Sequence, residues 1–445
     1  MTSFYVENFG CRATQADGAA LEHELKGCGL TRAARADEAG VVVLNSCTVT
    51  ASADRDVRAA VRRIHRENPA CRILVTGCYA QRAPQELAAL EGVSWVVGNS
   101  HKHRVAEIAT GGFVPLAQVV GPAPTFVGDI FAHTQLMAAP VFGAGADHTR
   151  PNLKVQDGCD NRCSFCIIPS VRGQSRSLPL DDVLRQVRAL VAAGYREVVI
   201  SGINLGRWGR ELEPESRFEE LVHAMLEETE LEKLRLSSVE PMDWSDELIG
   251  LMAASPRVAR HAHVPLQTGS DRILRAMHRK YRPWHYAERV RKIRAAMPAA
   301  AIGADVMVGF PGETDEDFED NRAFIASLPF TYLHVFTYSS RPGTPSAALP
   351  QQVAVEVARE RNRVLRELAA EKNLEFRKGF VGRTLEAITL NVSDGDWTEA
   401  LSDNYLKLRL RGRHAANQWV RAKIEAVTED GLAGAIGPSD HRVIG

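Results

Sequence analysis

A chain of 445 residues is too long for one ordinary hydrophobic core and implies several domains. Its 45% hydrophobic and 24% charged residues fit a globular protein and exclude a disordered or fibrous one. A net charge of −1 excludes a chain-wide field that attracts nucleic acid, so any such partner must meet a local basic patch.

The first hundred residues alternate short apolar strands with helical stretches: SFYVENFG, a helix around Thr14 to Lys26, VVVLNS, a helix around Ala51 to Glu67, RILVTG, a helix from Pro84 to Leu90, and WVVG. That alternation predicts a doubly wound α/β domain over 1–107. Cys11, Cys47 and Cys78 each follow a strand. Parallel strands put their carboxyl ends on one edge, where such sheets bind ligands, so these three thiols are expected to converge on one metal centre. Cys28 and Cys71 lie away from that edge and read as packing residues. Eight cysteines, no basic-then-apolar leader at MTSFYVENFG and no apolar run of membrane-spanning length argue for the reducing cytoplasm and against a membrane partner.

Residues 108–150 lack clear periodicity and contain GPAP and GAGAD, an irregular connection ending in a linker. Six strand-helix units follow, with strands near NLKVQ, EVVISG, KLRLSSVE, HAHVPLQ, AIGADVMVGF and YLHVFTYS and amphipathic stretches such as Leu180 to Ala193 and Trp284 to Met297 between them. Six units make an open partial TIM-like (βα)6 barrel, whose site belongs at the carboxyl ends of its strands. With a trailing charged helix from about Val353 to Lys378, this domain spans 151–378.

Just after its first strand, VQDGCDNRCSFCIIP sets Cys159, Cys163 and Cys166 as C-x3-C-x2-C. Three thiolates so spaced can hold three irons of a 4Fe-4S cluster and leave the fourth open to chelate S-adenosylmethionine (SAM) for radical chemistry. Zinc is the competing reading, but structural zinc sites usually join two paired half-sites, and no second C-x2-C or H-x3-H pair occurs. At later strand ends, Gly202 would let backbone approach a cofactor, Glu240 points at the same rim, and Gln267, Thr268 and Ser270 supply polar donors. Asp305 sits in a strand apolar enough that its carboxylate needs a partner.

The last stretch, 379–445, is rich in short strands (TLEAITLNV, NYLKLRLRG, WVRAKIEAV) and reads as a small β-barrel. Lys407, Arg409, Arg411, Arg413, Arg421 and Lys423 make it basic, and Tyr405, Trp419 and His414 are interleaved among them. Alternation along strands puts several charges on one face, able to neutralise phosphates while aromatics stack on unpaired bases.

The two cysteine triads in this order, within FGCRATQ, NSCTVT, TGCYAQ and DGCDNRCSFCIIPSVRG, together with HVPLQTGSDRIL and the terminal barrel, resemble the radical-SAM methylthiotransferase family over nearly the whole chain. NSCTVTASADR, RLSSVEPMD, FTYSSRPGTP and DNYLKLRL are most similar to the branch acting on N6-threonylcarbamoyladenosine beside the tRNA anticodon, rather than the branches acting on isopentenylated adenosine or a ribosomal-protein aspartate. The resemblance implies Cys11, Cys47 and Cys78 as ligands of an auxiliary 4Fe-4S cluster, Cys159, Cys163 and Cys166 as ligands of the SAM-binding one, and a TRAM-like RNA-binding end. It also implies an electron donor and a sulfur source as partners. Thr14 and Leu178 depart from the family pattern, which commonly has Asn and Arg there. A two-cluster electron-transfer protein and a zinc-stabilised RNA-binding module are the readings from other classes; failure to bind SAM would favour the first, and zinc without iron the second.

Overall fold

A computed structural model describes residues 2–111, 122–132, 136 and 149–441 of the chain. Its first body is a parallel sheet in the order Thr31–Arg32, Ser3–Asn8, Val41–Ser46, Arg72–Gly77, Val93–Gly98, Thr125–Phe126. VVVLNS lies at its middle because both faces are covered. Val42 and Leu44 pack on Val57, Val61 and Ile64 of helix Ala51–Glu67, while Val41 and Val43 pack with Leu21 and Leu25 of helix Arg12–Gly27. The strand order reverses direction between Ser3–Asn8 and Val41–Ser46. At such a switch point the two following loops part to opposite faces and leave a crevice. Cys11 and Cys47 begin those two loops, and Cys78 opens the helix Cys78–Arg82 after the next strand.

The stretch read as an irregular connection contributes the edge strand Thr125–Phe126, paired to Val96 and Val97. The GAGAD segment lies outside the described residues, as does Gly121 of GPAP. Cys71 is buried as expected, but Cys28 is exposed at the carboxyl end of helix Arg12–Gly27 and packs on nothing that would shield it.

The second body carries six parallel strands in two linked sheets. Asn152–Lys154, Glu197–Ser201 and Lys233–Leu236 form one; His261–His263, Ala301–Val308 and Tyr332–Thr337 form the other. Parallel bridges from Leu234 to Val258 and from Ser238 to His263 join them into an arc that does not close. All six expected strands are present. Helix Val355–Lys378 packs along the far edge, where Asn362 Nδ2 donates to the Val335 carbonyl at 3.0 Å.

The third body is a closed five-stranded barrel in the order Thr384–Asp394, Trp397–Ser402, Lys407–Arg411, Leu432–His441, Trp419–Val427. Two of these strands, Trp397–Ser402 and Leu432–His441, go beyond the three expected. Ala400 and Gly434 explain the omission: short side chains close to the axis fill a small barrel without the strong apolar alternation by which a strand is recognised.

The first body covers the open side of the arc and is fastened to both of its edges. On one edge Asp17 meets Lys154 and Arg172; on the other Asp54 meets Arg341, and the Ala51 amide donates to Ser339 Oγ at 3.1 Å. The barrel is fastened from below, where Arg235 donates to the carbonyls of Ser402 and Asp403 at 3.3 and 3.0 Å. NSCTVTASADR thus docks on FTYSSRPGTP, and RLSSVEPMD on DNYLKLRL.

Candidate functional site

The loop carrying Cys159, Cys163 and Cys166 follows Gln156–Asp157 and is held by Gln156, whose Nε2 donates to the carbonyls of Asp157 and Gly158, both at 2.9 Å. Gly158 adopts φ +71, and a Cβ there would fall 1.9 Å from the Gln174 carbonyl oxygen, so only glycine lets the loop pass. The three sulfurs feel one another electrostatically, and burial first, then the neighbouring thiols, pushes Cys159 up to about 11 and Cys166 up to about 12. Donors are aimed at them. Arg279 Nη1 lies 3.1 Å from Cys163 Sγ, the Asn161 amide 3.4 Å and Asn204 Nδ2 3.7 Å from Cys159 Sγ.

The amino-terminal trio sits in the switch-point crevice. Cys47 is buried and pushed up to about 12 by that burial and then by Cys78 and Cys11. Gly10, with φ +107, passes so close that a Cβ would be 2.8 Å from Cys47 Sγ. Asn99 Nδ2 donates toward Cys78 Sγ at 3.5 Å, and Thr14 Oγ1 lies 3.7 Å from Cys11 Sγ. Buried thiols this reluctant to ionise need a cation to become ligands, and iron would supply it. Zinc fits less well: a structural zinc site takes four ligands, and each trio offers three thiols.

The trios adjoin. Cys78 packs against Ile167, which follows Cys166 directly, and against Val171 in the next helix, and Asn99 Nδ2 also donates to the Val171 carbonyl at 2.7 Å. Beneath them three buried cations, Lys102, Lys154 and Arg172, face two buried carboxylates, Asp17 and Asp157. Burial opposes ionisation of Asp17, but Lys102, Lys154 and Arg172 overcome it and hold the carboxyl well below its usual range. Arg172 is in turn held charged against burial by Asp157, Cys78, Asp17 and Cys11. The surplus positive charge therefore stands beside the sulfurs of Cys78 and Cys11, where bound thiolates would need it.

A cleft opens next to Cys163, lined by Asn161, Arg207, Glu240, Arg279 and Lys280. Glu240, expected at this rim, is there, paired with Arg279. Gly202 is tight for another reason: a Cβ would lie 2.9 Å from Gln156 Cβ, so its smallness serves the cysteine loop's anchor. Gln267 holds φ 69, fixed by its amide to the Asp305 carbonyl at 2.9 Å and by the Met307 amide on its own carbonyl at 2.7 Å. Ser270 is committed to the protein. It is buried, caps helix Asp271–Ala276 by accepting from the Ile273 amide, and donates to Asp317 at 2.8 Å.

Two family models match the chain: the Radical SAM superfamily over residues 153–325 and Uncharacterized protein family UPF0004 over 3–98. A threonylcarbamoyladenosine tRNA methylthiotransferase MtaB of Aquifex aeolicus is 35% identical over 94% of this chain and 99% of its own length. The MtaB of Bacillus subtilis is 34% identical over 93% and 91%. The chain belongs to the radical-SAM methylthiotransferase family. A second kind of member, the tRNA-2-methylthio-N(6)-dimethylallyladenosine synthase of Thermobifida fusca, is 34% identical over 95% of this chain and 83% of its own. Among solved structures, the radical S-adenosylmethionine methyltransferase TsrM of Kitasatospora setae shares the fold, with a TM-score of 0.54 at 16% identity over 78% of this chain and 77% of its own.

In this methylthiotransferase the basic barrel strands behave as their alternation predicts. Lys407, Arg409 and Arg411 point outward between buried Leu408 and Leu410, and Arg421 and Lys423 point outward between buried Val420, Ala422 and Ile424. Strand Leu432–His441 lies between the two rows and places Ala433 beside Arg409 and Ala435 beside Lys423. Carboxylates temper the face: Glu399 is opposite Arg409 and Glu386 opposite Arg421. Two of the three expected stacking aromatics are elsewhere, while His414 stays beside the basic strand, its Nε2 2.9 Å from the Arg411 carbonyl oxygen. Tyr405 stacks on His261 at 4.4 Å between centroids and accepts from Arg12 at 3.2 Å, and Trp419 is buried under Lys233. Both fasten the barrel to the central body. Trp397, under Arg409, is the aromatic on the charged face.

Sequence reasoning missed Arg279, Asn204, Asn99, Arg172 and Lys102. Only Arg172 carried a signal, standing in the quoted SVRG segment; the others are brought to the sulfurs by the fold.

Proposed function

We propose that this enzyme replaces the C2 hydrogen of N6-threonylcarbamoyladenosine at position 37 of tRNA with a methylthio group. The observation that carries the reading is the pair of cysteine trios adjoining across the seam between two bodies, on a chain whose MtaB relatives are similar over nearly its full length. Cys159, Cys163 and Cys166 would hold the SAM-binding 4Fe-4S cluster and Cys11, Cys47 and Cys78 an auxiliary one. With SAM bound, these groups would supply what no side chain can: an electron that converts SAM into a carbon radical able to take hydrogen from an aromatic C–H that is not acidic at neutral pH, and a sulfur to deliver.

The chain's own residues do the rest. Arg279 and Asn204 steady the sulfurs of Cys163 and Cys159, and Arg279 with Glu240 forms a charged wall of the adjoining cleft, suited to the amino and carboxylate groups of SAM. Gly202 and Gln267 shape the strand ends beside it; Ser270 serves the fold behind them. Arg172 and Lys102 keep the auxiliary thiolates neutralised, and Asn99 ties Cys78 to the other loop. Lys407, Arg409, Arg411, Arg421 and Lys423 hold phosphates of the anticodon loop in register. The reaction further requires an electron donor and a sulfur source in the cytoplasm; among the described residues no helix is long and apolar enough to cross a membrane.

Mass spectrometry of tRNA nucleosides from cells with and without the gene tests this. The 2-methylthio derivative of N6-threonylcarbamoyladenosine should vanish with the gene. Loss instead of a methylthiolated isopentenyl or dimethylallyl adenosine would move the enzyme to the other branch, and unchanged nucleosides would overturn an RNA substrate.

A further inference from the structure

Away from both cysteine trios, His263, Asp305 and His334 place one ligand atom each within 4.8 Å of the others. Among the described residues no other His, Cys, Asp or Glu side chains do so. They come from three adjacent strands of the second sheet, with Asp305 in register with His334 and His263 with Gly303, so all three project from one face. Asp305 Oδ1 lies 3.4 Å from His263 Nε2 and 3.2 Å from His334 Nδ1. Two ligands about 2.1 Å from one ion, at angles near tetrahedral or octahedral, stand roughly 3.0–3.4 Å apart.

His263 supplies the decisive detail. The residue is 6% exposed, and its Nε2 is buried with no hydrogen-bond partner. Its Nδ1 is 2.7 Å from Ser238 Oγ, the arrangement by which a ligating histidine is usually oriented. When Nδ1–H donates to Ser238, the Nε2 lone pair faces the Asp305 carboxylate, the pairing that a bound cation stabilises. The arginines nearby are engaged elsewhere: Arg235 and Arg150 on Glu197, and Arg12 on Tyr405. His334 and, two residues on, Phe336 are both about half exposed, so the third corner of the cluster opens on solvent-accessible space.

We propose that His263, Asp305 and His334 bind a divalent first-row transition ion inside the arc, apart from any iron-sulfur cluster. Two imidazoles and one carboxylate suit zinc, ferrous iron or manganese rather than magnesium or calcium, and three protein ligands leave at least one coordination position for an oxygen ligand. That position is open to water or to a hydroxyl or carboxylate group entering the arc from the His334 side.

The test uses the cluster-loaded chain with its clusters in the diamagnetic oxidised state, titrated with Mn²⁺ and read by loss of the free-ion electron paramagnetic resonance signal; Zn²⁺ is then added as competitor. One saturable Mn²⁺ per chain is expected, displaced by Zn²⁺, with affinity at least about 100-fold weaker in H334A and in D305N at unchanged iron content. His334 is exposed enough that its removal leaves the fold intact, so H334A reports even if the D305N chain fails to fold. Absence of saturable binding, or binding by H334A equal to that of the parent, would overturn the site and leave the three residues as an ion-paired cluster. Neither result depends on which RNA the enzyme modifies.

Discussion

Buried charge marks single residues whose titration should be visible. Glu24 in helix Arg12–Gly27 is half-buried, leaves Oε2 without a hydrogen-bond partner, and is raised by that burial to about 7. An unfolded glutamate titrates near ~4.3, so its contribution to stability is fully present below that pH and is lost as pH rises through the folded value. The E24Q chain, with a neutral amide, should melt higher than the parent at pH 8 and equally at pH 4. Melting curves that keep one separation across that range would contradict the assignment. Such a residue was invisible in sequence, because an amphipathic helix places glutamates on either face and only packing reveals which loses its water. The six cysteines were legible for the opposite reason: their spacing and their place after strands follow from chain order alone. Arg279 lies more than a hundred residues from the sulfur it touches, and no periodicity announces that contact.

At the level of elements, period-two alternation located the outward cations of Lys407–Arg411 and Trp419–Val427 correctly, since a strand has only two faces. It failed for Tyr405 and Trp419. An aromatic beside a basic strand can face RNA or a neighbouring domain, and the second choice is decided by tertiary contact with His261 and Lys233. If the charged face holds phosphates, replacing Lys407, Arg409 and Arg411 together with alanine should weaken tRNA binding and reduce the slope of log affinity against log salt by about 2, near 0.7 per lost phosphate contact. SAM binding should stay unchanged. An unaltered salt slope would assign those cations to a solvated surface.

On the scale of the whole molecule, the first body acts as a lid fastened to both edges of an unclosed barrel, and the fastening is ionic. Asp17 is the keystone, bonded to Lys102, Lys154 and Arg172 from three segments. Removing its charge strands buried cations, so D17N should cost about 3–5 kcal/mol of stability and loosen the seam. Hydrogen exchange should rise first in helix Arg12–Gly27 and strand Asn152–Lys154; a variant as stable as the parent would show that the seam is held by packing instead. The fold class followed from strand-helix patterning, but this closure did not, because ion pairs between distant segments leave no local trace.

The central claim is that two adjoining cysteine trios each hold a cluster. Iron and sulfide per chain after anaerobic reconstitution, measured with Cys47→Ala alongside the parent, test it most directly. About eight irons in the parent and about four in the variant are the expected result. About four in both, or zinc in place of iron, would contradict it.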